Sequence, residues 1–196
     1  MHNSCCGQAQ SPVRVNNKVR TLVISCVELE QIPSWTVRRH LGSYMVIRTP
    51  GGLLELPGSD EDMASLEQIL IENTGIQHFV VCLHSLCTKF DQASALFTRD
   101  NSLVKSRRFQ NLRKLQYSLS TEYAELTADH RKALLQQRWL CEILPKLRQW
   151  LKELRRDDVE LHGWIYEPET DWISALDTEC GLFVPLNAYS KFCNTK

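Results

Sequence analysis

His78-Phe-Val-Val-Cys-Leu-His84, followed at once by Ser-Leu-Cys87, is the stretch that decides how this chain folds. A short apolar run of this kind reads as a buried strand. A matching run, Arg20-Thr-Leu-Val-Ile-Ser-Cys26, lies upstream. Between the two come a short helical stretch around 34–41, then Tyr44-Met-Val-Ile-Arg48 as a strand, and a turn at Pro50-Gly51-Gly52. Met63, Leu66, Ile69 and Leu70 then recur at helical spacing from Asp60 to Asn73. Ser59 or Asp60 can cap that helix and Gly75 closes it. Strand–helix–strand–helix–strand with short loops predicts an α/β fold with a mainly parallel central sheet, flanked by helices on both faces.

Downstream, residues 91–156 read as mostly helical. Leu134, Leu135, Trp139, Leu140, Ile143, Leu144, Leu147, Trp150, Leu151 and Leu154 form one apolar stripe, with a joint expected at Pro145 because proline suits a helix's first turn. Val159 to Tyr166 reads as a further strand, Glu167-Pro168 as a turn, and Trp172 to Leu176 as a shorter strand. The predicted organisation is a polar arm at 1–18, one domain at 19–177, and an irregular tail at 178–196. No internal repeat or low-complexity tract interrupts it.

Composition narrows the function classes. In 196 residues, apolar types make up 43% and charged types 23%, as in soluble globular proteins, and the formal net charge is zero. That balance gives no footprint for nucleic acid or an anionic membrane. Lys105, Arg107, Arg108, Arg113 and Lys114 cluster, but no aromatic interleaving or binding motif accompanies them, so they read as a solvated helix face. No apolar run approaches the roughly 20 residues needed to span a bilayer. Met1-His-Asn-Ser-Cys-Cys-Gly-Gln8 lacks the basic and apolar regions of a secretory signal. The 8 cysteines are therefore expected to be reduced thiols in a cytoplasmic protein.

The two long apolar runs end in chemistry. Cys26 closes the first; His84 and Cys87 close the second. In a parallel sheet both ends fall at the carboxyl edge, where open α/β folds place their sites. Two thiolates and one imidazole make a three-ligand zinc set of the kind that leaves a fourth position open. The alternative is that they are buried strand-end residues, since free cysteine is among the most buried types. Cys82, Cys141 and Cys180 match no ligand position, and core packing is the expectation for them.

Four segments, in order and spacing, carry a resemblance: Val23-Ile-Ser-Cys-Val-Glu-Leu-Glu30, Val46-Ile-Arg-Thr-Pro-Gly-Gly52, Gly75-Ile-Gln-His-Phe-Val-Val-Cys-Leu-His-Ser-Leu-Cys87 and Leu161-His-Gly-Trp-Ile-Tyr166. Together they resemble the β-class carbonic anhydrases over roughly residues 20–176. The resemblance implies that Cys26, His84 and Cys87 hold Zn2+. It further implies reversible hydration of CO2 to bicarbonate, and a homodimer or higher homo-oligomer whose pockets lie near the interface.

The departures fall beside the chemistry. The family pattern has an Asp two residues after the first cysteine and an Arg two residues further on, which holds that Asp off the metal. Here these positions are Glu28 and Glu30. Two carboxylates near a zinc that two thiolates already neutralise disfavour a bound hydroxide and bicarbonate. With the Arg gone, nothing in the sequence restrains Glu28, whose longer side chain is expected to close the open position. Arg48 matches the family's Arg before the glycines and could compensate the charge or pair with Glu28 or Glu30. Thr88 stands where the family has Gly and is expected to reshape the pocket. His40 and His162 read as packing or surface residues.

The expectation is thus a zinc-binding β-carbonic-anhydrase-like protein with weak or absent hydration. Its alternatives are an active enzyme gated by Glu28 and a structural or regulatory zinc protein. A related reaction on a sulfur analogue of CO2 would also suit a narrow, neutral pocket, though no residue demands it.

Overall fold

A computed structural model describes residues 19–29, 39, 41–54, 61–95 and 107–188. Most of the helical stretch expected at 34–41 lies outside the described residues, as do the 1–18 arm, Glu30, His40, the caps Ser59 and Asp60, and Lys105.

Among the described residues, six strands form one sheet in the order β2-β1-β3-β4-β5-β6. They are β1 (Thr21–Cys26), β2 (Tyr44–Thr49), β3 (His78–His84), β4 (Glu160–Glu167), β5 (Trp172–Asp177) and β6 (Leu182–Pro185). The first four in that order run parallel, and β5 and β6 add antiparallel. The helices are α1 (Glu61–Glu72), α2 (Thr88–Ala95), α3 (Arg107–Glu122) and α4 (Ala128–Glu153). No helix among the described residues is long and apolar enough to cross a membrane.

The two runs read as buried strands are the sheet's interior. Every residue of β1 is buried, as is every residue of β3 after His78. Burying each Leu, Ile, Val or Phe of these strands contributes about 1.5–3 kcal/mol, which is why they sit between neighbours and not at an edge. The edge goes to β2, whose Tyr44, Met45, Val46 and Ile47 are only half-buried.

The apolar stripe on α4 buries Leu135, Trp139, Leu140, Ile143, Leu144, Leu147, Trp150 and Leu151. It packs on β4 at Gly163, where a Cβ would stand 2.7 Å from the Leu144 side chain. Thr127 caps this helix by accepting from the His130 N–H at 3.3 Å. No joint occurs at Pro145; α4 runs through it. Pro145 and Cys141, four residues before it, are both exposed, so proline's missing N–H falls on the helix's outer side. The buried stripe on either side then holds the helix together.

Two further expectations are corrected. Residues 182–185, read as part of an irregular tail, form β6 against β5. Cys82 is buried as expected, but Cys141 and Cys180 are exposed. Of the basic cluster, Lys114 is exposed on α3, as a solvated face requires.

Candidate metal centre

Cys26 is the last residue of β1 and His84 the last of β3, so the parallel register brings both to the carboxyl edge. Cys87 arrives through a sharp reversal. Leu86 takes a left-handed backbone (φ 56°), which is costly for a leucine and turns the chain from β3 into α2. The turn after β2 closes the floor. Gly52 has φ 68°, and a Cβ there would lie 3.3 Å from the Cys82 carbonyl and 3.6 Å from the Cys26 nitrogen, so only glycine passes.

These elements converge four side chains. The ligand atoms of Cys26, Glu28, His84 and Cys87 all lie within 4.8 Å of one another. The two sulfurs are 3.5 Å apart, where a tetrahedral zinc with bonds of about 2.3 Å would place them about 3.8 Å apart. His84 Nδ1 lies 2.9 Å from the Ser85 carbonyl, which fixes the proton there and leaves Nε2 as the lone-pair nitrogen. That Nε2 is buried with no hydrogen-bond partner, a position a metal would satisfy. The Glu28 N–H approaches the Cys26 sulfur at 3.4 Å and the Phe90 N–H the Cys87 sulfur at 3.3 Å, donors that suit thiolates. Behind them, Gln136 of α4 donates to the His84 carbonyl at 2.9 Å. The residues fit a tetrahedral metal of the zinc type.

Burial dominates the electrostatics of the metal-free centre. Burial pushes the Cys87 thiol up to about 12, with Cys26 and Glu28 adding to the shift against the Phe90 N–H. Burial also holds His84 below the ordinary imidazole value, as a neutral ligand requires. Glu28 is held below the usual carboxylate value, chiefly by the Thr88 hydroxyl.

Glu28 is not unrestrained, which corrects the reading from sequence. Its Oε2 accepts from the Thr88 N–H at 2.9 Å and the Lys89 N–H at 3.2 Å, and Oε1 accepts from the Thr88 hydroxyl. The carboxylate thus caps the start of α2. Oε2 also lies 3.7 Å from the Cys87 sulfur. An oxygen and a sulfur bound to one tetrahedral zinc would lie about 3.6 Å apart, close to this spacing.

Arg48 is at the surface, and its guanidinium donates to the carbonyls of Cys26, at 3.2 Å, and Leu29. It pins the turn that carries Glu28. Thr88 as Glu28's anchor escaped the sequence reading, because 60 residues separate the partners. A cleft of about 450 Å³ opens beside the centre, lined by Glu28, His84, Leu86, Tyr166 and Glu169 among others. His162, expected at the surface or in packing, is fully buried beside His78.

Fold and site therefore define an open α/β protein with a Cys/His/Cys metal-type centre at the carboxyl edge of its sheet. No protein-family model matches the chain. It is 26% identical over 183 residues to carbonic anhydrase 1 of Escherichia coli O157:H7, covering 89% of this chain and 81% of that protein. It is 25% identical over 177 residues to a carbonic anhydrase of Pseudomonas aeruginosa, covering 85% of this chain and 77% of that one. The solved β-carbonic anhydrase CcaA matches the fold with a TM-score of 0.68 at 23% identity, covering 86% of this chain and 84% of that one. In sequence and in fold the chain is thus similar to the β-class carbonic anhydrases.

Proposed function

We propose that this protein binds Zn2+ through Cys26, His84 and Cys87, with Glu28 as fourth ligand, and that its reversible CO2 hydration is weak or lost. The observation that carries this reading is the Glu28 carboxylate, 3.7 Å from the Cys87 sulfur and anchored there by Thr88 and Lys89. Zinc, when bound, supplies a Lewis acid for activating water. This chain's own residues limit that chemistry. Glu28 stands where the water would enter, and its charge adds to that of two thiolates, which opposes hydroxide formation and the retention of bicarbonate. Glu169 adds a second carboxylate at the cleft. An active enzyme gated by Glu28 is the second reading, favoured by the same three donors on α2, which could hold the carboxylate clear of the metal.

A homodimer or larger homo-oligomer in the cytoplasm completes the proposal. Val27 and Leu86, next to the proposed ligands, are 44% and 56% exposed, and the half-buried apolar side chains of β2 lie at the edge of the sheet that the described residues form. A second copy would cover them.

Metal analysis with stopped-flow CO2 hydration tests the function, on the wild type and on Glu28→Asp/Glu30→Arg. We expect one zinc at this centre with little activity, and a rate raised at least tenfold by the double substitution. A fast wild-type rate overturns the closed reading. A protein that holds no zinc at Cys26 and Cys87 overturns the metal assignment.

A further inference from the structure

The opposite end of the sheet carries a second convergence of ligand atoms. His78 opens β3 and Glu160 opens β4, and the two are register partners. Strand periodicity puts His162, two residues after Glu160, on the same face. That face is the one away from α4, since the intervening Leu161 and Gly163 alternate with it and Gly163 meets Leu144. Six residue steps of β3 separate His78 from His84, about 20 Å along the strand, so this cluster is distinct from the cysteine centre.

Three atoms close a triangle. His78 Nδ1 and His162 Nε2 are 3.3 Å apart, His78 Nδ1 and Glu160 Oε2 3.4 Å, and His162 Nε2 and Glu160 Oε2 3.8 Å. Nitrogen and oxygen ligands about 2.0–2.1 Å from a tetrahedral zinc lie about 3.3–3.4 Å from each other. Two edges match that spacing and the third exceeds it by a few tenths of an ångström.

Both shorter edges meet at His78 Nδ1, and all three atoms are of types that bind a divalent cation. A cation at the centre of the triangle would meet the three donor atoms at once. Neutral imidazoles and a carboxylate are zinc-type donors, and His2Glu is a catalytic-type set with a position left for water. His162 is fully buried and so rigidly placed, whereas the Glu160 side chain is 53% exposed and gives an ion a way in.

We infer that His78, Glu160 and His162 form a second divalent-metal site, of zinc type, at the amino-terminal end of the parallel strands. It stands independently of the cysteine centre and of any hydration activity.

Zinc and cobalt titration of the metal-stripped full-length protein tests it. The wild type is expected to hold two zinc ions per chain after dialysis against micromolar zinc. His78→Ala/Glu160→Gln should hold one, with the thiolate-to-cobalt charge-transfer band of the cysteine centre intact, which also reports that the variant is folded. Cys26→Ser/Cys87→Ser should hold one ion whose cobalt spectrum lacks that band. If Cys26→Ser/Cys87→Ser fails to fold, Glu160→Ala alone, at a half-exposed side chain, still tests the site by its loss of one ion. A wild type that holds a single ion with the charge-transfer band, unchanged by the His78 and Glu160 substitutions, overturns the inference. So does a second ion that survives those substitutions. One ion in the wild type, lost on His78→Ala/Glu160→Gln and lacking the thiolate band, sustains this site while refuting the cysteine centre.

Discussion

Cys87 shows how one side chain would couple metal binding to protons. Its thiol, pushed up to about 12 by burial, is protonated at neutral pH in the metal-free protein. A metal binds the thiolate, so binding must expel that proton. The sign follows directly: raising pH removes a competitor, and zinc affinity should climb about tenfold per pH unit for each proton released. His84 adds little to this slope near pH 7, because burial already keeps it neutral. Competition titration of zinc against a chelator at pH 6, 7 and 8 checks this, and an affinity independent of pH would contradict it. At this scale the sequence was legible for the donors and not for their surroundings. Cys26, His84 and Cys87 announce themselves by type and by position at or just past strand ends. The Thr88 hydroxyl on Glu28 does not, since a threonine at a helix start ordinarily serves only its own helix.

Elements were legible where their surroundings are uniform. β1 and β3 are buried along nearly their whole length, so an apolar run suffices to find them. α4 is long because one buried stripe spans Pro145, and burial outweighs the local preference of proline for a first turn. β6 is four residues, none of them fully buried, and becomes a strand only because β5 offers it a free edge. The Pro50–Gly52 turn shows element and site acting together. Gly52→Ala would force a side chain onto φ 68° and within 3.3 Å of the Cys82 carbonyl. We expect a loss of about 2–3 kcal/mol in denaturant unfolding, combining backbone strain with overpacking. Weaker zinc binding should accompany it, because Gly52 lies against the Cys26 nitrogen. Unchanged stability would show that the turn can yield.

For the whole molecule, one cation ties distant chain segments together. Arg156 is buried, and its guanidinium donates to the carbonyls of Leu70, Asn73 and Ile76 across 80 or more residues of chain, with Asp158 bonding its Nε at 3.0 Å. It thereby joins the end of α1, the approach to β3 and the approach to β4, and so sets the register of the sheet on which both metal-type clusters depend. Arg156→Ala would strand buried carbonyls, costing about 2–4 kcal/mol. Calorimetry should show a Tm lowered by about 2–4 °C for each of those kcal/mol. A change within one degree would mean that water replaces the guanidinium without loss.

The division between sequence and tertiary structure follows from range. The amino-acid sequence by itself determined the parallel strands, the helices from Glu61 onward and the three candidate donors at or just past strand ends, because hydrophobic periodicity and residue type are local properties. Only the folded structure decided that Glu28 is anchored by Thr88 beside the cysteines, and that His78, Glu160 and His162 meet at the far end of the sheet. Those arrangements depend on register and on close approaches between residues tens of positions apart, which no local pattern encodes.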